Sequence, residues 1–425
     1  MQEVGKHDNK KDAWIVVEDQ VYDITKWLGK HPGGAAILLG YAGQDATDAI
    51  VAFHPDIEYQ KKLMSPLKIG RLESPPEASP LIKDFRQMRA KLMEAGYFKP
   101  SLSFFAAQLL QIVLLEIVGH CLALYFGLSG WLNWIVVASV LATGQIQAGW
   151  LQHDLGHLSV FPVHPRAIPK ENCSILKENQ SWHYLVICFM KGASSSWWKY
   201  RHNQHHSKPN IINKDPDLKN DPLFVFGGMA DLGMGTPMTP YQETYWWFLG
   251  PPLVTSFYFV LTNYYYVFKW RLWGEFILAH IYFARTWILL RIATGSWVAC
   301  FSLYFIMRVM ESIWFTWVTA MNHFPMTIQM DPKVDWVTAQ LTASQNLPNT
   351  PFSRWFSGHL AHQIEHHLFP TMPRHNLTKI IPLIKSFCQR HSLSYKEVTI
   401  QQGCQEVLQA LRLAANTYQN QHKRK

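Results

Sequence analysis

The chain has 425 residues, of which 48% are hydrophobic and only 16% charged, with a formal net charge of +9. A charged fraction well below the roughly 25% of soluble domains argues against a disordered chain and against an ordinary cytosolic protein. Lys and Arg are dispersed rather than gathered in one stripe, which points to a lipid bilayer and no nucleic acid, and six cysteines without a CxxC pair argue against a disulfide scaffold or zinc ribbon.

Residues 1–72 carry nine Lys/Arg against ten Asp/Glu. Met1–Asp23 is polar from the start, which predicts no signal peptide and an N-terminus that stays in the cytosol. Trp14–Val17 and Val21–Ile24 read as strands around an Asp19-Gln20 turn. Ala35–Leu39, Thr47–Phe53 and Ile57–Leu63 read as short helices, with Asp45 placed to cap the second. Together they predict a small α+β domain over 1–72. Residues 73–100 begin with a stiff linker, Glu73-Ser-Pro-Pro-Glu-Ala-Ser-Pro80. Leu81, Ile82, Phe85, Met88 and Leu92 then follow a helical period, predicting a basic amphipathic helix suited to lying on a bilayer.

Residues 101–425 turn apolar in long blocks. Ser103–Phe126 and Trp131–Leu151 are each long enough to span about 30 Å of hydrocarbon, with Gly127–Gly130 as an uncharged hairpin between them. Trp246–Phe268 is a third candidate. Phe276–Leu290 and Trp297–Val318 are interrupted by Arg285, Arg291, Arg308 and Glu311. Within the first span, Glu116 and His120 stand i, i+4, which predicts that they pair with each other or with a neighbouring helix.

Two groups of histidines stand out. His31-Pro-Gly-Gly34 follows the second strand, and His54 lies 23 residues further on behind a helix. Alone, His-Pro-Gly-Gly is a tight turn. Three further clusters adjoin the apolar blocks: His153-Asp-Leu-Gly-His157, His202-Asn-Gln-His205-His206, and Gln363-Ile-Glu-His366-His367. Spacings of three and four place their rings on one helix face, where they can converge on metal. All-imidazole sites suit iron, copper or zinc, and the number of rings points to two ions.

With Lys26-Trp-Leu before the first histidine and Tyr41-Ala-Gly-Gln-Asp-Ala-Thr-Asp48 between the two, residues 4–72 resemble cytochrome b5. That resemblance implies haem b held axially by His31 and His54, with no open position for oxygen. At the three boxes the chain resembles membrane fatty acyl desaturases, in particular the front-end group that carries an N-terminal cytochrome b5 domain. The segments that carry it are Gln147–Phe161, Lys191-Gly, Ser196-Trp-Trp198, Lys214-Asp-Pro-Asp217, Trp355–Leu360 and His366–Asn376. The resemblance implies two non-haem iron ions on His153, His157, His202, His205, His206, His366 and His367. It adds His323, in Met321-Asn-His-Phe-Pro, as a further ligand. Gln363 stands where other desaturases have histidine, which marks the front-end group and places it in the catalytic site.

The expected architecture is an α+β cytochrome b5-like domain followed by an all-α multi-pass membrane domain, with about four transmembrane helices and a cytosolic His-rich cap. The expected activity is insertion of a cis double bond between an existing double bond and the carboxyl end of a polyunsaturated fatty acyl-CoA or acyl-lipid. It consumes O₂ and takes electrons from NADH-cytochrome b5 reductase through the fused haem, in the endoplasmic reticulum membrane. The same boxes also serve sphingolipid desaturases and lipid hydroxylases. Residues 162–180 do not look like the family, and an iron site disabled there would leave a haem electron carrier or lipid-binding membrane protein. Keeping all boxes on one face requires an even number of spans between the second and third. That is met if Trp246–Phe268 crosses once and Phe276–Val318 contributes one crossing plus a partly inserted helix. Lys269 and Arg271 then fall on the lumenal side, against the positive-inside tendency.

Overall fold

The computed structural model describes residues 1–126, 129–161, 172–331 and 333–423. Residues 1–71 hold five short strands, β1 (Asp8–Asn9), β2 (Asp12–Val17), β3 (Gln20–Asp23), β4 (Gln44–Asp45) and β5 (Lys68–Arg71), in the order β1-β2-β3-β5 with β4 parallel to β2. Val17 pairs with Gln20, so the hairpin turns at Glu18-Asp19, one residue earlier than expected. Helices α1 (Ala35–Leu39), α2 (Thr47–Phe53) and α3 (Ile57–Met64) lie against this sheet. Asp45 Oδ1 accepts the Thr47 N–H at 2.8 Å and so does tie down the start of α2.

Helix α4 (Pro80–Glu94) starts with Ser79 accepting the Ile82 N–H at 3.3 Å and Pro80 at its first position. The expectation that it lies on a bilayer is corrected here. Ile82, Phe85, Met88 and Leu92 are buried in protein, with Phe85 stacked on Phe369 at 5.5 Å. An apolar stripe has the same sequence period whichever apolar partner covers it.

Four helices are long and apolar enough to cross a membrane: α5 (Leu102–Phe126), α6 (Trp131–Gly156), α11 (Trp273–Thr294) and α12 (Trp297–His323). Between α6 and α11 lie α7 (Asn172–His183), α8 (Ser195–Ser207), α9 (Gln242–Leu249) and α10 (Phe259–Trp270). The count of four stands, but its membership changes. Trp246–Phe268 is not one span, because Gly250-Pro-Pro ends α9 and the helix restarts as a π-helical turn over Val254–Tyr258 that leads into α10. Phe276–Val318 is a full helical hairpin whose connection is Gly295-Ser296. The start of α11 lies beside the second histidine box, since Glu275 accepts from Ser194 Oγ at 2.5 Å and from the Ser196 N–H at 3.1 Å. Lys269 and Arg271, just before it, therefore fall on the histidine side, and the charge conflict disappears. Part of the Gly127–Gly130 hairpin and most of the atypical 162–180 segment lie outside the described residues.

The cap is completed by α13 (Trp336–Ala343), α14 (Pro351–Phe356), α15 (Gln363–Leu368), α16 (Arg374–Arg390) and α17 (Ile400–Lys423). Asn322 Nδ2 at the end of α12 donates to the Leu360 carbonyl at 2.9 Å, tying the last span to the third box.

Within the bundle Glu116 pairs with Arg285 of α11, while His120 donates from Nδ1 to the Glu116 backbone carbonyl at 2.8 Å. The acid thus answers a charge on a neighbouring helix. Glu116→Leu leaves that guanidinium unpaired in the apolar layer, and a loss of about 2–3 kcal/mol of stability is expected. The thermal midpoint of the purified protein should fall, and Glu116→Leu/Arg285→Leu should regain part of the loss. An unchanged midpoint in the single variant would contradict the pairing.

Candidate metal centres

His31 and His54 come first in the chain. His31 and His54 face one another with ring centroids 6.5 Å apart. A metal ion bound to one nitrogen of each ring at about 2 Å needs a centroid separation of about 6.3 Å. His54 Nδ1 donates to the Ile50 carbonyl at 2.9 Å, which leaves Nε2 as the free lone pair. Burial, together with the neighbouring His54, pushes the His31 pKa down to about 4, so both rings are neutral donors at physiological pH. Gly34 has φ +87°, and a Cβ there would meet the Tyr200 ring at 2.7 Å, so the second glycine of the turn is required twice over.

The three boxes converge as two groups of imidazoles. His153, His157, His202, His206 and His366 form the first, and His205, His323 and His367 the second; within each group the ligand atoms lie within 4.8 Å of one another. All eight histidines expected from the sequence are brought together. His153 and His157 come from the end of α6, and His323 from the end of α12. Box two lies on α8, whose first turn is held by Ser194 accepting the Trp197 N–H at 3.0 Å and by Asn263 accepting the Ser194 N–H at 2.8 Å. Box three lies on α15, where Asn346 Oδ1 accepts the Ile364 N–H at 2.9 Å.

In the first group Nε2 atoms approach in a chain: His157 to His202 at 2.9 Å, His202 to His206 at 3.1 Å and His206 to His366 at 3.1 Å. A neutral imidazole has one N–H, so at most two of these three contacts can be hydrogen bonds. His153 Nε2 has no partner at all. Such spacings match the edge of a coordination polyhedron, about 3 Å for bonds of about 2.1 Å.

The second group carries a clearer signature. His205 Nδ1 contacts Asp215 Oδ2 at 2.9 Å, His323 Nδ1 the Ala343 carbonyl at 2.9 Å, and His367 Nδ1 Gln340 Oε1 at 2.8 Å. Each outer nitrogen is thereby a donor to oxygen, and each Nε2 presents a lone pair inward, as metal ligands do. Gln363 reaches the same point, with its amide 2.8 Å from His323 Nε2 and its Oε1 buried without a partner. The two groups meet where His206 stacks on His367, with centroids 4.1 Å apart.

Burial, reinforced by neighbouring histidines, holds His202, His206, His366 and His367 well below the ordinary imidazole pKa and His157 down to about 3. Burial opposes charge on His205 too, but Asp215 outweighs it and raises that pKa. Eight clustered rings, seven of them buried and His202 half-buried, fit a pair of metal ions. Asp215 stands in the Lys214-Asp-Pro-Asp217 segment, but its role as the partner of His205 was not read from sequence, and neither was that of Gln340. His183, by contrast, bonds Gln152 Oε1 and Ser195 Oγ at 2.9 and 2.8 Å, away from both groups.

A hollow lined by His153, His157 and His366 shares Gly358, His359 and Arg374 with a second opening of about 160 Å³, walled also by Gln108, Gln147, Arg354 and Trp355. The opening on the flank of α14 thus adjoins the hollow beside the first histidine group.

Residues 129–399 match the family model "Fatty acid desaturase", and residues 1–73 match "Cytochrome b5-like Heme/Steroid binding domain". The chain belongs to the fatty acid desaturase family and carries a cytochrome b5-like domain ahead of the desaturase domain. It is 38% identical over 434 residues to "Fatty acid desaturase 2-like protein FADS2B" of Mus musculus, covering 99% of this chain and 85% of that protein. Among solved structures it is similar to "Cytochrome b5 of Ostreococcus tauri virus 2", with 36% identity, 17% of this chain and 92% of that one covered, and a TM-score of 0.16. The cytochrome b5 domain implies a haem, and the desaturase family implies two irons and a fatty acyl substrate.

Proposed function

We propose that the protein is a front-end desaturase that inserts a cis double bond between an existing double bond and the carboxyl end of a polyunsaturated acyl-CoA or acyl-lipid. The observation that carries this reading is the pair of buried imidazole groups on a chain with a fused bis-histidine domain. His153, His157, His202, His206 and His366 would hold one iron, and His205, His323 and His367 the other; His31 and His54 would hold the haem. Iron so bound supplies, from O₂ and two electrons, an oxidant able to attack an unactivated methylene, and the haem supplies one-electron transfer.

The chain's own residues do the rest. Asp215, Gln340 and the Ala343 carbonyl fix ring orientation and keep the inner nitrogens bare. Burial keeps water from the reacting centre. The acyl chain would enter through the opening beside α14. NADH-cytochrome b5 reductase would refill the haem, and the endoplasmic reticulum membrane, with the boxes and the N-terminus cytosolic, is the setting that fits. Functionally the chain divides into 1–72 for the haem, 73–100 as the connection, and 101–425 for desaturation.

Gln363 is assigned to the catalytic site because its amide is a far weaker donor than imidazole and leaves the second group of ligands looser than the first. Gln363→Ala and Gln363→His are both expected to keep haem and membrane insertion yet lose most desaturation. Wild-type iron and product in the Ala variant would remove Gln363 from the site. Expression in a host without this activity, fed linoleate, α-linolenate and labelled sphingoid bases, tests the whole reading. New double bonds on the carboxyl side of existing ones support it, and a product made only from sphingoid bases overturns it.

A further inference from the structure

The His31 segment abuts α8, which carries His205, and the His54 segment abuts α13, whose Gln340 orients His367. Phe53, the residue before His54, meets Trp336 of α13 edge to face at 5.8 Å. Trp336 is 5% exposed. One turn along the same helix, Gln340 accepts from His367 Nδ1 at 2.8 Å and donates to the His206 carbonyl at 2.9 Å. On the other side of the cleft, Gly34 packs on Tyr200, two residues before His202. Tyr41 Oη donates to the Ser207 carbonyl at 2.7 Å in a buried contact, and Lys208 Nζ stands 4.1 Å over the Tyr41 ring.

The connecting helix completes the clamp. Arg86 of α4 grips Asp48 with two bonds of 2.8 and 2.9 Å, and Arg89 donates to the Val51 carbonyl at 2.8 Å. Ala46, Ala49 and Ala52 of the haem domain share one continuous apolar core with Phe85, Trp336, Ile364 and Phe387. A tethered domain that only visited this surface would not have a core in common with it.

We propose that the haem domain is permanently docked in an electron-delivering pose, and that Trp336 is the positioning residue that sets how fast a reduced haem passes its electron on. This rests on the desaturase reading above. In each transfer a ferrous haem becomes ferric and one ferric ion of the pair becomes ferrous. Two transfers serve each double bond, with electrons that enter from NADH through the reductase. Electron transfer falls steeply with separation, so a contact that fixes the gap fixes the rate.

Two measurements test this on the full chain. In the first, a protease site is placed in the linker 73–79 and the membranes are sedimented after cleavage. The haem domain should remain with wild-type membranes and be released from Trp336→Ala; release from the wild type would overturn permanent docking. In the second, the haem is reduced without oxygen and then mixed with O₂ and acyl substrate while its absorbance is followed. Trp336→Ala should keep haem, iron and the bis-histidine spectrum but reoxidise about tenfold more slowly, whereas Trp336→Phe stays near wild type. Product formation by the Ala variant should recover when a small-molecule reductant feeds the iron directly. A wild-type reoxidation rate, or no recovery, would overturn the role given to Trp336. If the Ala variant does not fold, Tyr41→Phe removes the bond to Ser207 alone and should slow reoxidation in the same direction; an unchanged rate there would count equally against the clamp. A wild-type haem that reoxidises no faster with any acyl substrate would overturn the desaturase reading beneath it.

Discussion

Replacing His206 by alanine is expected to lower desaturation on the order of 1,000-fold or more, because several kcal/mol of metal-derived stabilisation disappear with the site. Among the described residues no other ring is placed as this one is. Its Nε2 lies 3.1 Å from both His202 Nε2 and His366 Nε2, and its face stacks on His367 of the second group. Its backbone carbonyl also receives Gln340, which in turn orients His367. Losing the ring therefore removes a donor from one group and loosens a neighbour in the other. Non-haem iron should fall while the haem spectrum stays intact, since His31 and His54 belong to a separate part of the fold. Undiminished iron with full product would show that these imidazoles do not form the site.

His31→Ala is expected to do the opposite. With one axial donor gone, the bis-imidazole spectrum is lost, while both imidazole groups around the boxes keep their geometry and their iron. Desaturation should then fall to background in cells that lack free cytochrome b5. The separation is clean because the contacts from the haem domain to the cap run through Tyr41, Phe53 and Asp48 rather than through His31 itself. Normal product from this variant without free cytochrome b5 would remove the fused domain from the electron route.

The histidines were legible in the sequence because their signal is local. Spacings of three and four on a helix have few other reasons to recur in three places beside apolar blocks. The groups that orient them were not, since Gln340 and the Ala343 carbonyl come from a helix with no pattern of its own, and only tertiary packing brings them to His367 and His323. The spans were legible by composition and misread in membership. Gly250-Pro-Pro breaks the block that looked like a third span, whereas three of the four charges that seemed to interrupt α11 and α12 are paired inside the bundle, Arg285 with Glu116 and Arg308 with Glu311, and Arg291 lies over the Trp297 ring. The apolar stripe of α4 was correct as a pattern and silent about its partner, because bilayer and protein core ask the same of a helix face.

Non-haem iron per haem in the purified full-length protein tests the central claim most directly, because the fused domain supplies its own internal standard. Two groups of inward-facing imidazoles are expected to give two non-haem irons for each haem, with the iron lost and the haem retained in His206→Ala. One iron or none per haem in active wild-type protein, or zinc in place of iron, would contradict the two-iron centre.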